Sequence, residues 1–368
     1  MKGFEKADYN RRLKALIARR AAPVVLNAKV AQYSHGKGME REFYQASPVY
    51  EVYNRLPEDE SAVRYVAGAM GRVDPRYTEI TYEEGDRIRN QLDKALTAAE
   101  ATCDFEYQGS VTSDTHIKSY SDIDLLAITC RFWTLESPQR PTYRYDGDPV
   151  RDLKEIRTTA CETLRKEFPA AEVDDSGAKS VCISGGSLCR KIDIVPANWF
   201  NTNAYAQSLA KRFRAIQILD LKTGERVKNS PFLHNYLIHV RDDATQGGLR
   251  KVIRLMKSLK YDSGSINLSS YDLAAIGYNM LQDELFTIAG EEIALLTRLK
   301  LYLDRVAAND ELRWEMSTPD GSRKVFAEGH ATLSSLQALQ YEVNDLVGAV
   351  SQDLRKSFSK LAQARLAY

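Results

Sequence analysis

Cysteine is scarce and scattered in this chain of 368 residues: Cys103, Cys130, Cys161, Cys182 and Cys189 are odd in number and include no C-x-x-C pair. That spacing argues against a disulfide framework and against a structural zinc. No apolar run approaches the roughly 18 to 20 residues that a membrane-spanning helix needs, and the first residues lack the apolar segment of a secretory signal. The expectation is residence in the cytoplasm with no membrane contact. Neither sign of charge prevails, since 51 Lys and Arg face 50 Asp and Glu, a formal +1. A large nonspecific nucleic-acid surface needs clustered cations to replace the counterions of phosphate, so strong binding of double-stranded DNA is not expected. Internal repeats and low-complexity tracts are missing as well.

What is present is an ordinary globular composition, 43% hydrophobic and 27% charged, in a chain long enough for two compact units or one unit with two lobes. The one local charge excess runs from Met1 to Lys37, where nine Lys or Arg against two acids give +7. Tyr9, Leu13, Leu16 and Ile17 recur there at helical spacing. The segment reads as an amphipathic helix clamped on the body, its cations on a solvated face or against an anionic partner. A second helix is expected from Glu83 to Glu100 on the stripe Ile88, Leu92, Ala95, Leu96 and Ala99. Between Cys103 and Pro196, short apolar runs (Cys103 to Gln108, Ile123 to Thr129, Ser180 to Ile183, Leu188 to Val195) surround a helical stretch near Lys154 to Phe168. This pattern predicts a mixed sheet with a covering helix. A hairpin is expected at Ala215 to Lys228, turning on Thr223-Gly224. Helices follow at Leu249 to Lys260, at Tyr271 to Leu281, and in the closing stretch that holds Val343, Leu346, Val350 and Leu354. The fold class is α+β. N-terminal helices occupy 1–100 and include a long spine helix, a sheet-bearing core occupies 101–204, and a helical lobe occupies 205–368.

The chemistry concentrates between Gln108 and Leu126, where a strand end and the Gly109-Ser110 turn are followed by Asp122-Ile123-Asp124 entering a second strand. Side chains alternate along a strand, so Asp122 and Asp124 point one way while Ile123 enters the core. Two adjacent carboxylates repel unless a cation lies between them, and hard oxygen ligands suit Mg²⁺. Glycine lets backbone N–H groups come close to phosphate oxygens. A third acid, Asp193, lies amid apolar residues in Ile192-Asp193-Ile194-Val195-Pro196. Three carboxylates can hold two Mg²⁺ ions, with Asp193 placed as base toward an attacking hydroxyl. Taken singly, each piece has a plain alternative. A D-x-D at a strand entrance also occurs as a capped turn or solvated edge, and Asp193 could simply pair with Arg190 or Lys191.

The G-S-x₁₁-D-x-D pattern from Gly109 to Asp124, with the third acid in Ile192-Asp193-Ile194-Val195-Pro196-Ala197, resembles the polymerase β-like nucleotidyltransferase superfamily. Within it, Ser121-Asp122-Ile123-Asp124-Leu125 is similar to the bacterial cGAS/DncV-like nucleotidyltransferases (CD-NTases). Ile218-Leu219-Asp220 with Ser230-Pro231 and His234 resembles the family's linker after the third acid. Leu249 to Lys257 is similar to the family helix whose lysine reaches the donor triphosphate, which implies that role for Lys257. Taken alone, the cations Arg250, Lys251, Arg254, Lys257 and Lys260 read more simply as a solvated helix face. Leu268-Ser269-Ser270-Tyr271 is similar to the family's Ser-Ser-Tyr at a helix start, which implies phosphate binding by Ser270 and base stacking by Tyr271. Ser269 and Asp272 also have capping-box spacing, and a helix N-terminus is itself an anion site. Asp114 departs from the pattern, standing where a small residue is expected. No His/Cys cluster of the zinc-thumb kind is present.

The resemblance implies a polymerase β-like mixed sheet with a helical second lobe and the active site in the cleft between them. It also implies Mg²⁺-dependent joining of NTPs, ATP among them, into a cyclic di- or trinucleotide for anti-phage (CBASS-type) signalling through a separate effector protein. Two Mg²⁺ ions are expected, with Mn²⁺ able to substitute. Asp122, Asp124 and Asp193 would be metal ligands and catalytic residues. Gln108, Gly109, Ser110, Lys257, Ser270 and Tyr271 would bind nucleotide. The alternatives are nucleotidyl transfer to an RNA end or a protein, or a non-catalytic nucleotide sensor.

Overall fold

The computed structural model describes residues 6–21, 24–26, 42–44, 51–118, 121–188 and 190–366. Cys189, Ser119, Tyr120 and much of the 22–37 half of the basic run lie outside the described residues.

Helix α1 (Tyr9–Ala21) buries the stripe Tyr9, Leu13 and Leu16. A short antiparallel ladder of β1 (Val24–Leu26) and β2 (Glu42–Tyr44) and then α2 (Ser61–Met70) follow. Of the α1 cations, Arg11 and Lys14 are exposed, as a solvated face requires, and the other three are turned inward. Arg12 pairs with Glu342 at 2.6 Å, Arg19 with Asp262 at 2.5 Å and Arg20 with Glu51 at 2.6 Å, all largely buried. The helix is thus pinned to the body by charge as well as by its apolar stripe. Helix α3 (Pro75–Ala98) begins earlier than expected because Asp74 accepts a hydrogen bond from the Arg76 N–H and Pro75 takes the first helical position, where a missing N–H removes no bond.

The sheet comprises β3 (Cys103–Gln108), β4 (Ile123–Leu135), β5 (Glu172–Asp174), β6 (Val181–Ser184), β7 (Ile192–Asn201), β8 (Arg214–Leu219) and β9 (Arg226–Asn229). Helix α4 (Pro149–Glu167) crosses between β4 and β5, and the short α5 (Asn203–Ser208) follows β7. The strand order is β3-β4-β7-β6-β5, with β8 and β9 extending from the far half of β7. The β4–β7 pair is parallel and the other pairs are antiparallel. Strand β4 outlasts the expected Thr129 because, past an irregularity between Thr129 and Trp133, it pairs again with the end of β7. Strand β7 likewise runs through Pro196. That residue falls between Ile194, the last to pair with β6, and Ala197, the first to pair with β8, a gap where a strand tolerates proline.

The remaining chain is helical: α6 (Pro231–Ala244), α7 (Gly248–Ser263), α8 (Ser270–Tyr278), α9 (Gln282–Leu285), α10 (Glu292–Ala308), α11 (Asp310–Glu315) and α12 (Leu333–Leu366). One core lies between the sheet and α3 and α4, built from Ile88, Leu92, Ile123, Leu125, Leu153, Ile192 and Ile194 among others. A smaller core on the opposite sheet face holds Leu126, Ile128, Val195, Ala197 and Trp199. The third and largest unites α1 and α2 with α7, α8, α10 and α12. The two sheet cores split β4 and β7 by residue parity, and that split positions the acids.

Candidate active site

In β4 the odd-numbered Ile123, Leu125 and Ala127 face the α3/α4 core, while Leu126 and Ile128 face away from it. Strand alternation therefore puts Asp122 and Asp124 on the face opposite α3 and α4. In β7 the parity is reversed: Ile192 and Ile194 face the α3/α4 core, and Val195, Ala197 and Trp199 face the other side. Asp193 accordingly shares the face of the other two acids, and Asp124 and Asp193 are register partners across the parallel pair. Gln108 is the register partner of Asp124 on the other side, from β3.

Gly109 sits at φ +90°, a left-handed conformation, and an added Cβ would lie 2.7 Å from Oδ2 of Asp124. Only glycine permits the turn and the carboxylate to meet this closely. The loop beyond it is fixed from the helical side by three cations on one face of α7. Arg250 Nε donates to the Ser113 carbonyl (2.8 Å), an Arg254 guanidinium N–H to the Asp114 carbonyl (2.7 Å) and Lys257 Nζ to the Thr115 carbonyl (3.0 Å). Lys257 is only 2% exposed. Its face of α7 is turned to the Gly-Ser loop and not to solvent. Asp114, the atypical loop residue, adopts φ +54° and pairs with Arg72 at 3.0 Å.

A cleft of about 420 Å³ lies over this arrangement, and Gln108, Gly109, Ser110, Asp122, Asp124, Lys257, Ser270 and Tyr271 all line it. Eight of the nine residues singled out from the sequence are therefore brought to one cavity. The ninth, Asp193, is not in its lining and stands behind Asp124 in the ladder. The Ser-Ser-Tyr segment divides its roles. Ser269 is consumed in a complete capping box with Asp272, whereas Ser270 opens α8 and lines the cleft. The Tyr271 hydroxyl donates to Asp320 (2.7 Å), and its ring stacks on His234 with centroids 4.7 Å apart and planes 26° apart. His234, Asn235, Asn229 and Thr115 also line the cavity and were not assigned to it from the sequence. Thr115, Asn229 and the α6 pair His234-Asn235 come from three segments, and of these only His234 stands in a stretch the sequence marks, as part of the linker resemblance and without a role in the site.

The electrostatics follow from crowding. Burial, then repulsion from Asp193 and Asp122, raises the Asp124 carboxyl to about 7. Asp122 is raised too, by burial working against the pull of Lys191. Burial, then the positive charges of Lys260 and Arg254, lowers Lys257 to about 7. Of the two basic neighbours of Asp193, Lys191 is the one that pairs with it: its Nζ lies 3.1 Å from Asp193 Oδ2 and 3.7 Å from Asp122 Oδ2. Among the described residues, no group of three or more His, Cys, Asp or Glu side chains is arranged to hold a metal as it stands. The donor set nevertheless suits a hard divalent cation. It offers only carboxylate oxygen, it carries mutually repelling negative charge, and an ammonium already occupies the cationic position between two of the acids.

No protein-family model matches the chain. It is 38% identical over 311 residues to the cyclic dinucleotide synthase CdnE of Yersinia aleksiciae, covering 83% of this chain and 80% of that one. It is 31% identical over 310 residues to a c-di-GMP synthase of Capnocytophaga granulosa, covering 76% and 85% of the two chains. The solved structure of a STING-associated CdnE c-di-GMP synthase from that organism superposes with a TM-score of 0.71 at 25% identity, over 94% of this chain and 99% of the other.

Proposed function

This chain belongs to the cGAS/DncV-like nucleotidyltransferase (CD-NTase) family, with the CdnE cyclic dinucleotide synthases, and from that premise we propose that its cleft joins nucleoside triphosphates into a cyclic dinucleotide that a separate effector senses in anti-phage signalling. The observation that carries this reading is the placement of Asp122, Asp124 and Asp193 on one sheet face, against the Gly109 turn and beside Lys257, Ser270 and Tyr271. ATP is proposed among the substrates. GTP joins it because relatives above 30% identity are c-di-GMP synthases. The reaction is proposed to take place in the cytoplasm; among the described residues no helix is long and apolar enough to cross a membrane.

In this reading the sheet-bearing core, which β8 and β9 carry past the expected boundary at 204 as far as Asn229, and the helices from α6 onward hold the nucleotides between them. Asp122, Asp124 and Asp193 would hold two Mg²⁺ ions, or Mn²⁺ in their place. When bound, the metal neutralises triphosphate charge and lowers the pKa of the attacking ribose hydroxyl. The residues of the chain do the rest. Gly109, with no Cβ, lets the loop N–H groups approach the donor phosphates, and the Ser110 hydroxyl joins them. Lys257, held by the Thr115 carbonyl, faces the same phosphates, and a triphosphate next to its ammonium counteracts the burial that lowers it. Ser270 adds a hydroxyl at the N-terminus of α8, where the helix dipole favours an anion. The stacked rings of Tyr271 and His234 offer an edge of π surface for a base, and Gln108 a polar contact at the turn. Asp193 receives the hydroxyl proton as the new bond to the α-phosphorus forms and pyrophosphate leaves.

The test is pyrophosphate release from the four NTPs with Mg²⁺ by the parent protein and by Asp124→Asn and Asp193→Asn. A loss of at least about 100-fold in both variants, with folding retained, is expected. Release at the parental rate from either would remove that acid from the chemistry.

A further inference from the structure

We infer that Lys191 is a tethered counter-cation for the three acids, a positioning residue whose ammonium occupies their shared site until a divalent cation displaces it. The inference builds on the metal-binding role proposed above and adds a residue which that role does not include. Two residues before Asp193, Lys191 falls on the same side of the chain under strand alternation. Its carbonyl accepts a hydrogen bond from the Ile123 N–H (3.3 Å), which ties its backbone to the strand at a point between Asp122 and Asp124. Its Nζ then reaches Asp193 Oδ2 at 3.1 Å and Asp122 Oδ2 at 3.7 Å, so one ammonium spans two strands. The neighbouring Arg190 is turned elsewhere, with its guanidinium 4.4 Å from the centre of the Tyr77 ring and a weak contact at 3.5 Å to the Ser121 carbonyl.

The Lys191 side chain is 43% exposed. It can swing into solvent without leaving a cavity. Three carboxylates on one sheet face repel one another, and a single ammonium between two of them relieves part of that repulsion while leaving the site net negative. A divalent cation gains more from the same oxygens, but it must first part Lys191 from them. The expected consequence is a raised threshold for metal: Lys191 keeps the acids ordered in the metal-free protein and weakens the binding of metal alone.

Mn²⁺ titration of the full chain without nucleotide, with free Mn²⁺ followed by electron paramagnetic resonance, tests this. Lys191→Met should bind Mn²⁺ roughly two- to fivefold more tightly than the parent, the range for removing a half-exposed competing charge. Lys191→Arg, which keeps the charge, should stay near the parental affinity. In chelator Lys191→Met should unfold at a lower temperature than the parent, and saturating Mn²⁺ should abolish that deficit. A purely structural ion pair would show the deficit with and without metal. Equal or weaker Mn²⁺ binding by Lys191→Met, in proteins whose binding is lost in Asp124→Asn, overturns the inference and leaves the metal site standing. No Mn²⁺ binding by the parent overturns both.

Discussion

Replacing Asp124 by Asn should stabilise the metal-free protein while abolishing turnover, and the gain should depend on pH. The Asp124 carboxyl is raised from 3.8 to about 7 by burial and by the charges of Asp193 and Asp122. Between those values the folded state holds a proton that the unfolded state has released. Stability therefore falls as pH rises through that window and stays low above it. An amide at this position has no such titration. At about 1.36 kcal/mol per tenfold change in proton affinity, the displacement corresponds to at most about 4 kcal/mol. The cleft is open to water and three acids share the repulsion, so about 1–2 kcal/mol is the expected gain. Urea unfolding in chelator at pH 4.5 and pH 8 measures it. The Asp124→Asn variant should exceed the parent by that amount at pH 8, and most of the advantage should vanish at pH 4.5. A variant no more stable than the parent at pH 8, or a difference that ignores pH, would refute the claim that the acids are held together against their own repulsion.

Three further outcomes follow from the same geometry. Gly109→Ala forces a Cβ to within 2.7 Å of Asp124 Oδ2 at φ +90°, so turnover should drop about 100-fold as the turn shifts from the acid, with only about 1–2 kcal/mol lost from folding; parental kinetics would show that close approach is not required. Arg12→Ala strands the largely buried Glu342 and should cost about 3 kcal/mol in denaturant unfolding, much of it recovered by the paired change Arg12→Met with Glu342→Leu; an unchanged midpoint in the single variant would mean that α1 is not clamped by charge. Lys257 is lowered to about 7, so at pH 8 its neutral form predominates in the free protein. A metal-free, non-hydrolysable NTP should then bind with proton uptake, its affinity weakening as pH rises above 7. Calorimetry in two buffers of different ionisation heat reads that uptake, and binding without it would place the phosphates away from Lys257.

Local pattern carries much of this fold. Strand β3 is legible to the residue because Cys103, Phe105 and Tyr107 alternate with Asp104, Glu106 and Gln108 across one sheet. The capping box at Ser269 and the hairpin around Thr223-Gly224 are also visible, since their hydrogen bonds close within a few residues. The start of α3 lies upstream of the expected one although its signals, Asp74 and Pro75, stand in the sequence; the apolar stripe that marks a helix begins well after its cap. The ends of β4 and β7 are hidden because they depend on each other, through a register that resumes between Trp133 and Trp199. Alternation places the acids on one face and Lys191, two residues before Asp193, with them. The seat of Arg190 on the Tyr77 ring is a tertiary contact between segments distant in sequence, and no local pattern marks it. Arg250, Arg254 and Lys257 of α7 look like part of a solvated stripe because they donate to the backbone carbonyls of Ser113, Asp114 and Thr115, which no side-chain pattern discloses. His234 and Asn235 reach the cleft from α6 for a similar reason: tertiary packing, not spacing, brings them there.

The central claim is that this cleft makes a cyclic nucleotide from NTPs. Incubation of the purified protein with the four radiolabelled NTPs and Mg²⁺ or Mn²⁺, followed by phosphatase treatment and chromatography, tests it most directly. A small phosphatase-resistant product that is lost in Asp124→Asn is expected, with single-NTP omission naming its bases. Complete return of the label as inorganic phosphate and nucleosides, under conditions where the protein binds both NTP and metal, would contradict it.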